Sequence, residues 1–265
     1  CGVLGTPRFM APEVVRGDSK PSIVTDLYSL SVLLFYILMT SHPLEGKKEA
    51  SIKCFDLPAM NKLYGTEPIF IYDPNDNSNR PVKGYHDNAI AFWEIYPEFI
   101  KKLFIKAFTN GIKEPQNGRV RESEWRSKLI RLRDSIIYCK CGAENFYDID
   151  KLKNNNNLSC WSCKNTLILP PRLRLGNEII MLNHDTKIYS HHIDDNNMYD
   201  FSTLVSEVNQ NPKNPNLWGL KNNSSIKWNI KMPDGTLKDV EPNQNAPIIN
   251  GIKINFGQKE GEIRA

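Results

Sequence analysis

Apolar residues crowd the stretch 24–40, where Leu27, Leu30, Val32, Leu33, Leu34, Phe35, Ile37 and Leu38 recur at every angle of a helical wheel. A helix that is apolar on all sides is expected in the middle of a core. Asp26 falls in its first turn, where a carboxylate meets unpaired N–H groups and the positive end of the helix dipole. Pro43 follows where a helix should stop. Two more helices are predicted over 96–109 and 123–137. In the second, Trp125, Leu129, Ile130, Leu132 and Ile136 supply the apolar face, and Arg126, Lys128, Arg131 and Arg133 the wet one. A solvated face is the expected role of those cations, ahead of an acidic partner. Between the helices, 73–84 has the Asn, Asp, Ser and Pro content of a loop.

The pattern changes twice further on. From 137 to 171 it breaks into short strand-like pieces around paired cysteines. Beyond Pro170-Pro171, short or alternating apolar runs at 178–182, 226–232 and 248–254 predict strands. Turn signals separate them, at Pro233-Asp234-Gly235 and at Asn250-Gly251. The second predicts a hairpin, because Asn-Gly readily takes positive φ angles. Trp218 and Trp228 are expected as core anchors of this region, and His191 and His192 as packed or surface histidines. Three textures predict a multidomain chain: a helical part over 1–135, a cysteine unit over 136–170 and an all-β sandwich or barrel over 171–265.

Composition narrows the classes. In 265 residues, 40% hydrophobic and 24% charged content is ordinary for a globular protein. A net charge of +4 without a clustered basic face gives no reason to expect nucleic acid as a partner. The longest apolar stretch, 27–39, is shorter than the roughly 20 residues a membrane span needs. No basic start followed by an apolar stretch opens the chain, so a cytoplasmic protein without membrane attachment is expected. The chain does not begin with Met and reads as a piece of a longer protein. The asparagine run at 154–157 carries no functional expectation.

Four of the six cysteines come in two close pairs, Cys139-Lys140-Cys141 and Cys160-Trp161-Ser162-Cys163. Two such turns facing each other supply four thiolates for a tetrahedral Zn²⁺. Gly142, directly after Cys141, suits the tight turn that aims backbone N–H groups at sulfur. A redox pair or two disulfides are the competing readings, but a chain without an export signal favours metal. Four thiolates leave no open position for water, so the zinc is expected to be structural and not catalytic. Cys1 and Cys54 stand alone and are expected to be inert thiols.

Gly5-Thr6-Pro7-Arg8-Phe9-Met10-Ala11-Pro12-Glu13 resembles the end of the activation segment of eukaryotic-type Ser/Thr protein kinases, a family with bacterial members. Thr25-Asp26-Leu27-Tyr28-Ser29-Leu30 resembles the start of the central helix of the kinase C-lobe, and Leu38 to Gly46 its exit. Pro115-Gln116-Asn117-Gly118-Arg119 with Trp125 resembles the stretch carrying a late arginine before the last helix. The resemblance implies that Glu13 and Arg119 form a buried ion pair, and that Asp26 accepts hydrogen bonds from the catalytic loop. It implies that Thr6 sits beside the catalytic aspartate, and that Arg8 and Phe9 line the surface receiving the residue after the acceptor. Ser31 and Ser41 stand where the family commonly has Gly, and Tyr28 where Trp is frequent.

The sequence holds no glycine-rich phosphate loop, β-strand lysine, His-Arg-Asp or Asp-Phe-Gly motif. The chain alone is therefore expected to be inactive, with ATP and Mg²⁺ bound only by a full-length parent. A non-catalytic pseudokinase scaffold or a phosphopeptide-binding module is the alternative. Ile248-Ile249-Asn250-Gly251-Ile252-Lys253-Ile254-Asn255-Phe256-Gly257 resembles the closing hairpin of forkhead-associated domains, which bind phosphothreonine. Their Ser-x-x-His signature is absent, the nearest text being Tyr189-Ser190-His191-His192, so no binding residue is carried over. The expected partners are a protein substrate for the helical part and a phosphoprotein or regulatory partner for the tail.

Overall fold

The computed structural model describes residues 5–154 and 158–265; Cys1 and residues 155–157 of the asparagine run lie outside the described residues. The chain divides into two compact units, Cys1–Ile130 and Arg131–Ala265.

The first unit is helical. Its central helix, Ile23–Met39, starts with a capping box: the Ser22 hydroxyl accepts from Thr25 N, and the Thr25 hydroxyl accepts from Ser22 N. The helix ends on Thr40 in the left-handed conformation, at φ 49°. Tyr28, Val32, Phe35 and Met39, spaced three to four apart, are fully buried. Phe35 is a hub, with ring contacts to Phe104 at 5.0 Å, Phe70 at 5.7 Å and Phe108 at 5.9 Å. Phe104 and Phe108 come from the Glu98–Phe108 helix, one turn apart. An Asp87–Ile95 helix adds Trp93, whose ring stacks on Tyr72 at 4.0 Å.

The opposite face of the central helix is open among the described residues. Ile23 is 82% exposed, Ile37 62% and Leu33 47%. The expected burial on all sides is thus met on one side only. The apolar composition reports how much cover the helix wants, and the described residues supply about half of it.

Ser31 explains one departure from the kinase pattern. The buried Trp125 indole N–H needs a partner, and it donates to Ser31 Oγ at 3.3 Å while Ser31 Oγ donates to Leu27 O at 2.8 Å. Trp125 lies on the Glu122–Asp134 helix, which stops before Ile136 and Ile137; the predicted helix over 123–137 gives these two to a strand instead. Their β-branched side chains favour that outcome.

The second unit begins with that strand, β1 (Ile136–Tyr138), paired antiparallel with β2 (Glu144–Phe146). After an Ile149–Asn154 helix, ten strands among the described residues form two antiparallel sheets. They are β3 (Arg172–Leu175), β4 (Glu178–Met181), β5 (Lys187–Tyr189), β6 (Leu204–Asn211), β7 (Asn214–Asn222), β8 (Trp228–Lys231), β9 (Leu237–Val240), β10 (Asn245–Pro247), β11 (Lys253–Asn255) and β12 (Glu260–Arg264). One sheet runs β4-β3-β12-β11-β8-β9 and the other β10-β7-β6-β5. Leu173, Ile254, Trp228 and Phe256 from the first sheet and its turn share one apolar core with Ile188, Val208 and Leu220 from the second. Trp228 and Phe256 pack edge to face at 4.9 Å.

Asn250-Gly251 makes its turn, with Gly251 at φ 83°, but not a hairpin. The turn leads from β10 in one sheet to β11 in the other. The hairpins next to it are β8–β9 through Pro233-Asp234-Gly235 and β11–β12. Among the described residues no helix is long and apolar enough to cross a membrane.

Candidate functional site

The activation-segment-like stretch is held by its backbone. Pro7–Phe9 forms a single helical turn, closed by Phe9 N donating to Thr6 O at 2.9 Å. The Ser29 hydroxyl of the central helix donates to Phe9 O at 2.8 Å. His42 Nε2 bonds Arg8 O at 2.7 Å, while Leu44 N donates to His42 Nδ1. That leaves Nε2 to carry the proton, so the ring is a neutral imidazole. Burial holds its pKa down to about 4, the nearby Glu45 only partly offsetting it.

Arg8 is engaged through its side chain as well. Its Nη2 donates to Glu45 Oε2 at 2.6 Å, and its guanidinium lies 5.4 Å from the centre of the Tyr36 ring. Tyr64 donates its hydroxyl to the other Glu45 oxygen at 2.5 Å. Burial opposes the Arg8 charge, but Glu45 outweighs it and the Arg8 pKa is raised. Burial also pushes the Tyr64 phenol up, and the Glu45 contact adds to it. Phe9 meets Tyr36 edge to face at 6.4 Å. Thr6 is exposed.

Glu13 and Arg119, 106 positions apart, meet in the interior: Arg119 Nη2 donates to Glu13 Oε1 at 2.8 Å and to Oε2 at 2.9 Å. The guanidinium lies 4.7 Å from the centre of the buried Tyr28 ring. Arg119 Nε and Nη1 are buried without a hydrogen-bond partner among the described residues. Burial lowers the Arg119 pKa from its ordinary value, against the pull of Glu13. The approach depends on Gly118, where a Cβ would stand 2.4 Å from Asn110 O. Any side chain there would push Arg119 out of line. Asp26 is exposed, and its carboxylate bonds to no described residue.

The four paired cysteines converge. Their sulfurs all lie within 4.8 Å of one another, with Cys139 to Cys163 at 3.6 Å and Cys141 to Cys160 at 3.7 Å. A tetrahedron with Zn–S bonds of about 2.3 Å has edges of about 3.8 Å. These spacings fit a four-thiolate metal site. The first turn is set by Gly142, at φ 88°, and Gly142 N donates to Cys139 O at 2.9 Å. The second is closed by Lys164 N donating to Cys160 O at 3.0 Å.

Asn145 of β2 was not marked by the sequence pattern, yet it joins the two turns. Its amide donates to Cys160 Sγ at 3.6 Å, and its carbonyl accepts from Trp161 N at 3.1 Å. Burial opposes ionisation of Cys160, but the N–H groups of Cys163 and Ser162 and the Asn145 amide hold its thiol down to about 6. Only a cysteine-rich setting with an Asn beside a short strand could have hinted at this.

His191 and His192 are built into packing. His192 is buried, with Nε2 3.4 Å from Asp134 Oδ2, and His191 stacks on Tyr199. Cys54 is exposed. Trp228 is the core anchor expected, but Trp218 is 37% exposed.

A stretch of 50 residues, 19% of the chain, is 44% identical to the serine/threonine-protein kinase PknD of Chlamydia felis (strain Fe/C-56), covering 5% of that protein's length. PknD of Chlamydia abortus (strain DSM 27085 / S26/3) matches to the same extent. A stretch of 46 residues is 46% identical to Protein lin-2 of Caenorhabditis elegans, again 5% of that protein. The chain thus spans about a twentieth of the length of these relatives. No family model matches the chain, and no solved structure matches it. The partial match points to a kinase-related origin, and the four-cysteine cluster can hold a metal ion.

Proposed function

We propose that the chain is the substrate-positioning part of a Ser/Thr protein kinase, joined through a structural zinc ribbon to a β-rich partner-binding domain. The observation that carries the reading is the Glu13–Arg119 bond. It joins the first and last landmarks of the kinase-like series, with the central helix between them in sequence. Phosphoryl transfer depends chiefly on positioning and on charge stabilisation of the phosphates. In this reading the chain supplies the positioning, and the parent's other residues hold ATP and Mg²⁺.

Each residue then has a task. Thr6 faces the acceptor hydroxyl and favours Ser or Thr. Asp26, exposed and bonded through its carboxylate to no described residue, receives the backbone N–H groups of the catalytic loop. Phe9 and Tyr36 receive the residue after the acceptor. Because Glu45 neutralises Arg8, that position selects an apolar side chain over an acidic one. The open face at Leu33 and Ile37 is where the remainder of the lobe packs.

The second reading is a non-catalytic scaffold, which the same clamp of Glu13 and Arg119 would serve equally. Reading the coding sequence that precedes Cys1 separates the two. A kinase parent supplies a strand lysine, a His-Arg-Asp loop and an Asp-Phe-Gly motif; a parent lacking all three leaves the scaffold. For the tail, two sheets on one core support a forkhead-associated-like domain. Titration of phosphothreonine peptides is expected to give saturable binding, and none would remove that part of the proposal.

A further inference from the structure

The strand-rich unit carries a cleft of about 730 Å³ at the tip of the β6–β7 hairpin, walled also by the β4–β5 connection and the turn after β10. Trp218 projects into it from β7, 37% exposed, beside Leu217 at 54%. Both lie on an element whose other large apolar residue, Leu220, is fully buried in the core. Ile249, 47% exposed, lines the same cleft, and a contiguous exposed apolar patch of this kind marks an interaction site where singly exposed residues would not.

The chemistry of the walls restricts the occupant. Among the described residues no Lys, Arg, Asp or Glu lines the cleft; His184 does, its ring centre 5.3 Å from that of Tyr138. A phosphorylated ligand would lose its hydration there with no Lys or Arg among the described residues to pair it, and a basic one with no Asp or Glu. Beside His184, the polar groups on offer are uncharged. The Trp218 indole N–H and the side-chain amides of Asn209, Asn216 and Asn245 make no hydrogen bond to another described residue. The second aromatic wall, Tyr138, already donates its hydroxyl to Asp185 at 2.9 Å and presents its ring. Pro212 and Pro247 add further apolar surface.

Addition of a peptide strand is disfavoured at this edge. β10 is the outer strand of its sheet, but Pro247 has no N–H to offer an incoming backbone. What remains is recognition by rings and side-chain donors. A polyproline II segment answers that description: it has no internal hydrogen bonds, its carbonyls stand unpaired, and proline brings no N–H needing an acceptor.

We propose that this cleft binds a neutral, proline-rich segment of a partner protein in the extended polyproline II conformation, packed on Trp218 with its carbonyls on the indole N–H and the asparagine amides. The site is independent of the kinase reading and uses none of its residues.

Fluorescence anisotropy of a labelled decaproline peptide titrated with the full chain tests the proposal. Saturable binding is expected, tighter than that of a Gly-Ser peptide of the same length. Trp218→Ala should weaken it about tenfold or more, as loss of a central aromatic anchor does. Leu217→Glu, at a half-exposed position that tolerates exchange, should weaken it too and keeps the test open if Trp218→Ala fails to fold. Decaproline binding no tighter than the Gly-Ser control overturns the proposal, as does full affinity in Leu217→Glu. Binding of maltotriose in place of the peptide, lost in Trp218→Ala, overturns it in favour of a neutral sugar.

Discussion

The Glu13–Arg119 pair and the four-sulfur cluster both tie together segments distant in the chain, but they stand in opposite relations to a core. The pair lies against a large aromatic core built around Phe35, Phe70, Phe104 and Phe108. Its charges cost desolvation, and Tyr28 and Gly118 shape the space around them. The cysteine unit has little core of its own. Cys160, Ile137 and Asn145 are buried there, and the strand pairing of β1 and β2 is three residues long. In the first region packing comes first and the ionic contact selects one arrangement; in the second a four-sulfur cluster that can hold a metal ion stands where packing is thin.

The largest effect that comparison predicts is at the cysteines. Elemental analysis should give one zinc per chain, and Cys160→Ser should abolish it. Structural zinc contributes about 10–16 kcal/mol in small sites, so hydrogen exchange should show 136–146 and 158–168 unprotected in that variant. The strands on the Trp228 core should stay protected. Loss of protection throughout the second unit would mean that the ribbon and the sheets fold as one.

Breaking the ion pair comes next. Arg119→Met or Glu13→Gln alone should destabilise the first unit by about 3–5 kcal/mol in urea unfolding, since each strands a buried polar group. The double variant should recover part of that loss. A double variant that costs the sum of the two single variants would show that the two groups do not act on each other.

His42 gives a pH signature of about 3 kcal/mol. Its folded pKa of about 4 lies below the ordinary value of about 6.5, so the unfolded chain takes up the proton first. The stabilisation is complete above about pH 6.5 and is lost as the pH falls towards 4. Urea unfolding at pH 7 and pH 4 should show a larger difference for the native chain than for His42→Gln. The smallest effect is expected from Asn145→Ala, which keeps all four thiolates. Removing a group that orients the ligands should weaken zinc about 10- to 100-fold in chelator competition.

Much of this was legible because the signals are local. The Ile23–Met39 helix lies within a residue of the predicted 24–40, and the cysteine spacing announced the four-sulfur site. The Asp87–Ile95 helix was missed because His86 gives it no side-chain cap and its apolar residues, clustered in sequence at 89–93, mark no single face. The long pair β6 and β7 was missed for a related reason. Its Asn-rich tip, with Pro212 and Pro215, reads as loop, and its register is fixed by partners across the sheet and not by neighbours in sequence. Asn250-Gly251 shows the same limit: a dipeptide can specify a turn, but not which strands the turn connects. Asn145, His42 and Glu45 act through tertiary contacts, with nothing in their immediate sequence to mark the role.

The most direct test of the proposed function joins the chain to the coding sequence that precedes it and measures phosphate transfer from radiolabelled ATP. The account predicts label on serine or threonine of a protein substrate, lost when Glu13 is changed to Gln. A folded, extended protein that transfers no phosphate, or labels tyrosine alone, would contradict it.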